Sequence, residues 1–414
     1  MSPHSRRAPT RRLPLSAGRV SGLCVGLLLT AGAGAVQGQE AVVEPARAER
    51  ASLPERIEGA AQRISDKLEQ MGLYPHVTSL ATGGGAAPGL SYFDPAAGPG
   101  RTGLYGSVSQ SIKGDSLYEL RFGRMPYEPG RPPSRRPGFE WMPGFVVGQG
   151  EARFFFYGEA KRLDLGAGRY LQGYSDPLRQ ESFGVVAGYR LSSTLAARVE
   201  TGWLSVSPGA AAQSLGVDFR PSLDAPGLAW NRDYARVSSE LAWDNRGSAR
   251  LTTGGQFVSL RLESFQGIGQ TPGFSRVSLD ARHYQPLGSE RHVLALRGVA
   301  SFADSDGVHV PYYLQDSLGG GSLLRGYPEH RFSGDKLFAF SAEYRFQALR
   351  WLQLAAFYDG GRAWDGFDTL GSDGLRSSTG LGLRFTTSSR VLLRLDAARG
   401  QEGTRLNAKI GYSF

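Results

Sequence analysis

The residue types that most often do chemistry in proteins are sparse in this chain and have no catalytic or metal-binding spacing. Its one cysteine, Cys24, lies in an N-terminal apolar run, so the rest of the chain has neither a thiolate site nor a disulfide. No metal-ligand spacing relates the histidines, which include His76, His283, His292, His309 and His330. Neither a Gly-x-Ser-x-Gly elbow nor a Gly-Lys-Ser/Thr phosphate loop is present. We predict no enzyme activity, metal or cofactor; a barrel enzyme with loop carboxylates and His309 as a base is the alternative.

The next candidates for functional residues are the charged side chains on one face of the segment 336–347. The opposite face is apolar, with Phe338, Phe340, Ala342, Tyr344 and Phe346. This alternation predicts a strand. An aromatic face opposite Glu343 and Arg345 suits a wall with lipid on one side and water on the other. In the segment 350–360, the same alternation places Asp359 on the water side.

The alternation continues through short segments from Val77 to the C-terminus. We predict sixteen strands, at 77–83, 86–93, 101–111, 116–124, 151–161, 182–191, 194–204, 235–245, 254–265, 274–285, 291–303, 336–347, 350–360, 377–387, 390–399 and 404–414. Each is about as long as a tilted membrane-spanning strand, and an even number is typical of single-chain bacterial barrels. Short and long connections also alternate, as expected for turns on one side of a membrane and loops on the other. The predicted fold is an all-β transmembrane barrel of about sixteen antiparallel strands, over residues 77–414.

One connection departs from this alternation. Residues 125–150 form a long connection, rich in proline and arginine, on the side where the turns should be short. Two interpretations are open. The segment is an excursion on the periplasmic side, or the number of strands before it is wrong by two.

Residues 1–38 have the pattern of a secretory signal peptide. Five arginines precede an apolar run that ends at Val36, and small residues follow it. The alternative, a membrane anchor, is disfavoured because the run is short and interrupted by glycine. The whole chain has 47 basic and 38 acidic residues, a net charge of +9, which falls to +4 without those five arginines because residues 1–38 contain no acid. This balance does not indicate nucleic acid as a partner.

Residues 39–76 are predicted to form a periplasmic leader and one short N-terminal amphipathic helix. Ser52 and Glu55 form a capping box, and Gly72 and Pro75 end the helix. One face is apolar at a 3.6-residue spacing, with Ile57, Ala60, Ala61, Ile64, Leu68 and Met71. Three roles are open: packing against the barrel or the membrane surface, plugging the barrel, or docking a partner.

The segment 304–335 is a long loop, because its glycines and prolines exclude a regular element. It contains Gly-Gly-Ser-Leu-Leu-Arg-Gly-Tyr at 320–327, and Glu-Tyr-Arg-Phe follows at 343–346. These motifs resemble the bacterial surface antigen barrels, the superfamily of BamA, TamA and the two-partner secretion pores. The chain is similar to the branch without periplasmic polypeptide-transport-associated domains, because too few residues precede the predicted barrel to form one.

The resemblance implies a lock between this loop and the barrel. In the family, the sixth loop folds inward, and its Arg-Gly-Tyr/Phe meets a carboxylate of strand thirteen; Arg325, Gly326 and Tyr327 match that loop motif. Phe-Tyr-Asp-Gly-Gly at 357–361 matches the strand-thirteen pattern, which implies a pair between Arg325 and Asp359, with Gly361 beside it. Glu343 is a candidate for the same network. The alternative is a solvated loop arginine and ordinary charges facing the lumen.

Two further motifs match the family. Asp244 and Arg246 resemble its Asp-x-Arg turn, although the usual proline is absent, and they imply a structural turn. The last segment has Gly411, Tyr412 and Phe414, and it resembles the C-terminal signal by which outer-membrane barrels are recognised for assembly. The resemblance therefore implies that the barrel-assembly machinery is a partner and that this chain is its client.

Insertion or translocation of polypeptide, or of lipid, at the bacterial outer membrane is the function that the resemblance implies. Outer-membrane lipid and a polypeptide substrate are then the expected partners, and the first and last strands are expected to pair weakly. Gly411 fits such a gate because glycine weakens a strand, but it equally fits a bend needed for closure. Two other classes remain open: a passive channel, and a structural or surface barrel without transport.

Overall fold

The fold is seen in a computed structural model, which describes residues 67–68, 70–78, 80, 87–100, 102–125, 154–165, 178–208, 232–246, 252–305, 309–321, 323–365, 374–386 and 391–410. The chain divides into two units, residues 1–71 and 72–414, and all strands among the described residues belong to the second unit. Within the described ranges, no helix has the length and apolar character needed to cross a membrane.

The described residues of the second unit form eighteen strands, of which sixteen make up one antiparallel sheet. In chain order they are β1 Leu73–Thr78, β2 Ala87–Gly98, β3 Thr102–Gln110, β4 Ser116–Arg124, β5 Phe154–Leu165, β6 Leu178–Arg190, β7 Leu195–Pro208, β8 Arg232–Asp244, β9 Gly255–Gly267, β10 Phe274–Leu287, β11 Ser289–Asp304, β12 Asp316–Leu318, β13 Phe332–Gly334, β14 Lys336–Leu349, β15 Leu352–Trp364, β16 Arg376–Thr386, β17 Val391–Gly400 and β18 Gly403–Ile410. Each strand of the large sheet pairs with the next one along the chain, and β11 pairs with β14. The strands β12 and β13 form a separate hairpin between them.

The two faces of the sheet differ in chemistry because alternate residues of a strand point to opposite sides. The outer face exposes large apolar side chains, among them Val108, Leu120, Phe122, Leu260, Leu279, Phe338, Leu354, Tyr358 and Leu383. The inner face buries charged side chains, among them Glu119, Arg121, Arg198, Glu240, Asp280, Arg297, Glu343, Arg384 and Asp396. This distribution reverses that of a water-soluble protein and is the one that a transmembrane barrel requires. The predicted all-β barrel of about sixteen antiparallel strands is confirmed.

The first strand begins earlier than predicted. The prediction was 77–83, whereas β1 comprises Leu73–Thr78. Pro75 was interpreted as the end of a helix, but it lies within β1, opposite Leu90. Proline is tolerated in an edge strand, where one side needs no hydrogen bonds, and β1 pairs only with β2 in the described part of the sheet.

The predicted amphipathic helix is described only at its end. Lys67, Leu68 and Gln70 are helical, and the amide of Met71 donates to the carbonyl of Lys67 at 3.2 Å. Gly72 follows with a φ of +73°, which glycine commonly adopts after the last turn of a helix. The earlier part of the predicted helix and the signal peptide lie outside the described residues and stay predictions.

The connections alternate in length as predicted. Single or few residues join β6 to β7, β10 to β11 and β14 to β15, whereas residues 305–335 join β11 to β14 on the opposite side. The long connection that includes 125–150 joins β4 to β5 on the side of the short turns. Nearly all of it lies outside the described residues. Four described strands precede it, the number predicted, and β4 pairs directly with β5.

The apolar outer face predicts that a charge placed on it, in contact with lipid, destabilises the protein. Leu279 lies near the middle of β10 and points outward, so Leu279→Arg should lower the free energy of unfolding in phospholipid vesicles by about 2–4 kcal/mol. Urea unfolding of the refolded protein measures this change. Leu279→Phe is the control, because it stays apolar and should have little effect. Equal stability of the two variants would contradict a lipid-facing position.

Candidate functional site in loop six

Loop six, residues 305–335, folds against the inner face of the sheet. Gly319 and Gly320 turn the chain with φ values of +119° and +79°, a region that glycine enters without steric cost. Within the loop, β12 pairs with β13 from Asp316 opposite Gly334 to Leu318 opposite Phe332. The loop then packs into an apolar cluster with β11 and β14, formed by Val299, Leu318, Leu323, Leu324, Tyr327, Leu337 and Ala339.

Arg325 binds Asp359 of β15 through two parallel hydrogen bonds. Its Nε donates to Oδ2 at 2.8 Å, and its Nη2 donates to Oδ1 at 2.7 Å. The backbone amide of Arg325 also donates to Oδ2, at 3.0 Å. Both side chains are 1% exposed. A two-pronged ion pair accepts few orientations, so this contact fixes both the position and the direction of the loop tip.

Two further acceptors complete the environment of the Arg325 guanidinium. Nη1 donates to Glu343 Oε2 at 2.6 Å, and Nη2 also donates to Ser341 Oγ at 3.2 Å. The guanidinium carbon lies 3.3 Å from the ring centre of Phe357, which places the cation over an aromatic face. Every nitrogen of the guanidinium therefore has an acceptor, as a buried cation requires.

The contact belongs to a larger cluster of charges across four strands. Glu343 also accepts from Arg345 at 2.7 Å and from Arg384 at 2.8 Å. Arg384 in turn donates to Asp396 at 2.8 Å, and Asp396 lies 2.9 Å from Arg394. With Arg325 and Asp359, this "arginine cluster" contains four arginines and three carboxylates. Its members are Arg325, Glu343, Arg345, Asp359, Arg384, Arg394 and Asp396.

Gly326 and Tyr327 bring the loop close to β16 and β17. The amide of Gly326 donates to Ser378 Oγ at 3.1 Å, and a Cβ at Gly326 would lie 2.5 Å from the Cβ of Ser378 and 2.6 Å from the amide nitrogen of Gly400. The Tyr327 hydroxyl donates to the carbonyl of Ser377 at 3.3 Å. Only glycine fits at position 326 without a shift of the neighbouring backbone.

Gly361, on β15, has a similar steric role. A Cβ at this position would lie 2.9 Å from Leu318 Cδ1 and 2.9 Å from the carbonyl oxygen of Phe338. The small residue therefore lets the β12 segment of loop six approach β15.

The loop tip also contacts the last described strand, which the sequence did not suggest. Asn407 of β18 donates from Nδ2 to the carbonyl of Arg325 at 2.9 Å. Arg331 forms an ion pair at 3.0 Å with Glu402, in the turn between β17 and β18. No sequence signal singled out Arg384, Asp396, Ser378 or Asn407.

A second anchor holds the first part of loop six against β10 and β11. Arg276 of β10 donates to the carbonyl of Leu314 and lies 3.4 Å from Asp316, which also accepts from Ser301. Tyr313 is 1% exposed and belongs to an apolar cluster with residues of β2 and β4–β11. Loop six therefore contacts the inner face both at β14–β17 and at β10–β11.

Asp244 and Arg246 form a compact turn after β8. Arg246 donates from Nε to Asp244 Oδ1 at 2.8 Å and from Nη2 to Oδ2 at 2.7 Å. The guanidinium lies 4.7 Å from the ring centre of Phe257. Gly255 has a φ of +99°, and a Cβ there would lie 2.8 Å from the Cα of Arg246. These contacts hold the turn and do not reach loop six.

The remaining predicted residues are placed as follows. Gly411, Tyr412 and Phe414 lie outside the described residues, so the assembly signal stays a prediction. Burial lowers the pKa of His330, so its imidazole is neutral near pH 7, and Nδ1 lies 2.6 Å from Ser317 Oγ. Of the histidines, His309 lies beside two carboxylates, Asp335 and Asp365.

Comparisons with known proteins give one family and several similar folds. The Omp85 superfamily domain matches residues 169–414. The crystal structure of BamA from Haemophilus ducreyi lacking POTRA domains 1–3 is similar with a TM-score of 0.60 and 13% identity, over 86% of this chain and 78% of that chain. CdiB from Escherichia coli is similar with a TM-score of 0.50 and 11% identity, over 87% of this chain and 71% of that chain. No curated protein matches the sequence.

The geometry predicts coupled effects at Arg325 and Asp359. Removal of either side chain leaves a charge buried without its partner, so Arg325→Ala and Asp359→Ala should each lower the free energy of unfolding by about 3–5 kcal/mol. The double variant should lose clearly less than the sum, because both residues share one interaction. Urea unfolding in detergent micelles measures all three variants. Arg331→Ala is the control: its ion pair is exposed and should contribute less than about 1 kcal/mol. Strictly additive losses would show that the two side chains do not form one contact.

The geometry also predicts that Gly326 tolerates no side chain. Gly326→Ala should lower the free energy of unfolding by about 1–3 kcal/mol, because its Cβ overlaps Ser378 and the backbone at Gly400. It should also make the loop tip accessible to trypsin at Arg331. Gly298→Ala is the matched control, because a Cβ there meets no atom within 4 Å. Equal protease resistance of both variants would mean that the tip does not rest on β16 and β17.

Proposed function

Because the chain belongs to the Omp85 superfamily, we propose that it inserts or translocates polypeptide at the bacterial outer membrane. Members of this superfamily are outer-membrane barrels that act in assembly and transport rather than as enzymes. The predicted outer-membrane localisation is therefore confirmed, and the general function is insertion or translocation at that membrane. What we propose beyond this general function is that the substrate is a polypeptide and that loop six takes part in its insertion or translocation.

The observation that carries the proposal is the position of loop six between the arginine cluster and β18. In the described part of the sheet, β1 and β18 are the outermost strands and do not pair with each other. An unpaired strand edge binds extended polypeptide by adding a strand to the sheet. The carbonyl of Arg325 accepts from Asn407 on β18, so docking of loop six sets the position of one such edge.

The interior of the barrel argues against a passive channel. Tyr313 and Leu314 pack in an apolar cluster on one side, and the arginine cluster binds Arg325 on the other. Loop six therefore occupies space that a permanently open pore would need for water. This arrangement supports a barrel that is closed at rest and opens when the loop or the strand edge moves.

A lipid substrate is the second candidate, because the apolar outer face has a groove near β1. The groove has a volume of about 640 Å³ and lies over Gly106. Its lining includes Leu90, Tyr92, Phe183 and Trp203. Apolar grooves of this size suit acyl chains. This surface lies in contact with outer-membrane lipid, and movement of a bound lipid along it would be a different activity from strand addition.

Three assignments that rest wholly or largely on residues beyond those described complete the proposal. Residues 1–38 direct the chain out of the cytoplasm, and the part of the predicted segment 39–76 that precedes β1 forms a leader and helix before the barrel. Gly411, Tyr412 and Phe414 mark the chain as a client of the barrel-assembly machinery. These assignments are supported by the sequence pattern and by the family.

A crosslinking experiment tests the polypeptide substrate. Leu406 of β18 is 85% exposed, and Leu279 points outward from the middle of the sheet. A photoreactive residue at 406 should crosslink unfolded outer-membrane polypeptide synthesised in the same cells, whereas the matched control at 279 should crosslink at least about tenfold less. Asp359→Ala, which frees loop six, should change the yield at 406 but not at 279. Equal yields at both positions would contradict strand addition at β18.

Conductance in planar bilayers separates the proposal from a passive channel. The unsubstituted protein should show no steady conductance, and Asp359→Ala should introduce openings. Steady conductance of the unsubstituted protein would favour the channel. Closed barrels without crosslinks would favour a structural or surface role.

A further inference from the structure

A group of metal-ligating side chains lies at the end of the sheet from which loop six leaves and to which it returns. His309 is at the start of loop six, Asp335 is its last residue, and Asp365 directly follows β15. One ligand atom from each of the three lies within 4.8 Å of the others. Residues that are 26 and 30 positions apart along the chain meet here, which explains why sequence spacing did not reveal the group.

Hydrogen bonds from the surrounding chain orient the two carboxylates. Asp335 Oδ1 accepts from the amide of Val310 at 3.1 Å and from Gln315 Nε2 at 3.3 Å, while Oδ2 lies 3.1 Å from His309 Nδ1. The amide of Asp335 donates to Asp365 Oδ1 at 2.9 Å. Donors of this kind fix metal-ligating carboxylates in many metal sites, and their loss weakens metal binding.

We propose that His309, Asp335 and Asp365 bind a divalent transition-metal ion of the Zn²⁺ class. Ligand atoms around tetrahedral Zn²⁺ are separated by roughly 3.3 Å, so small side-chain rotations bring this group to the required distances. Two carboxylates supply the two negative charges that balance a divalent cation. The imidazole favours Zn²⁺ and similar ions over Mg²⁺ and Ca²⁺, which prefer oxygen ligands alone.

The site is accessible from solution, and its position means that a bound ion would restrain loop six. The His309 side chain is 43% exposed, so an ion and its remaining water ligands reach the site from solution. A bound ion joins both ends of loop six to the end of β15. It therefore restrains the loop at a point separate from the arginine cluster, and its binding does not depend on the transported substrate.

Titration of the full-length protein without an affinity tag tests the site. In detergent micelles, ZnCl₂ should bind with one ion per chain by calorimetry and should raise the temperature of unfolding. Asp365→Asn keeps an oxygen acceptor for the Asp335 amide but removes a charge, and His309→Gln removes the imidazole. Each variant should bind Zn²⁺ at least about tenfold more weakly. His283→Gln is the control and should bind as the unsubstituted protein does, because His283 pairs with Gln256 on another part of the sheet.

The outcomes separate the metal site from an ordinary ion pair. No stoichiometric Zn²⁺ binding, or unchanged binding in both variants, would overturn the proposal. Binding of CaCl₂ or MgCl₂ as tightly as ZnCl₂ would also overturn it, because the imidazole would then contribute nothing. If Asp365→Asn does not yield the heat-modifiable folded form, His309→Gln decides alone, since its side chain is largely exposed. Crosslinking at β18 is measured separately, so failure of either proposal leaves the other intact.

Discussion

The burial of the Arg325 cation is the constraint on which the site depends. A guanidinium removed from water is unfavourable unless acceptors replace the lost solvent, and here Asp359, Glu343 and Ser341 do so. These acceptors are carried by two neighbouring strands, β14 and β15, whose register fixes where they meet. Loop six can therefore dock in one position only. The ion pair contributes specificity of position as much as stability, because its formation already offsets a large desolvation cost.

The rest of the arginine cluster follows from the same requirement. Asp359 and Glu343 would repel each other in a dry interior, but Arg345, Arg384 and Arg394 interleave with the carboxylates across β14–β17. The charges of the cluster do not cancel in pairs, since four arginines face three carboxylates and leave one positive charge in excess. A network of this kind strengthens each hydrogen bond within it and penalises the loss of any member. It also makes the four strands behave as one unit toward the loop.

The apolar exterior makes this charged interior possible. In lipid, backbone groups must form hydrogen bonds within the protein, and neighbouring strands of the sheet do so without help from side chains. The inner face is then free to carry charges, and loop six uses both kinds of contact there. Its first part packs Tyr313 in an apolar cluster with residues of β2 and β4–β11, and its tip places Arg325 among charges at β14–β17. The loop thus links distant parts of the barrel, and its contact with Asn407 extends that link to β18.

The sequence by itself determined the class of the fold, because each strand separates two solvents and so alternates residue by residue. This pattern gave the sixteen strands, the inward side of Glu343 and Asp359, and the long loop at 304–335. It failed where alternation carries no information. β1 contains Pro75 at a sheet edge, and β12 and β13 have three residues each, too few to show a period. The pairing of Arg325 with Asp359 came from family resemblance, not from alternation.

Only the tertiary structure decided which inner-face residues meet: Ser378 and Asn407 contact the loop tip, and His309, Asp335 and Asp365 come together. Such contacts depend on strand register and on the path of the loop across the interior, and neither is encoded by local residue spacing.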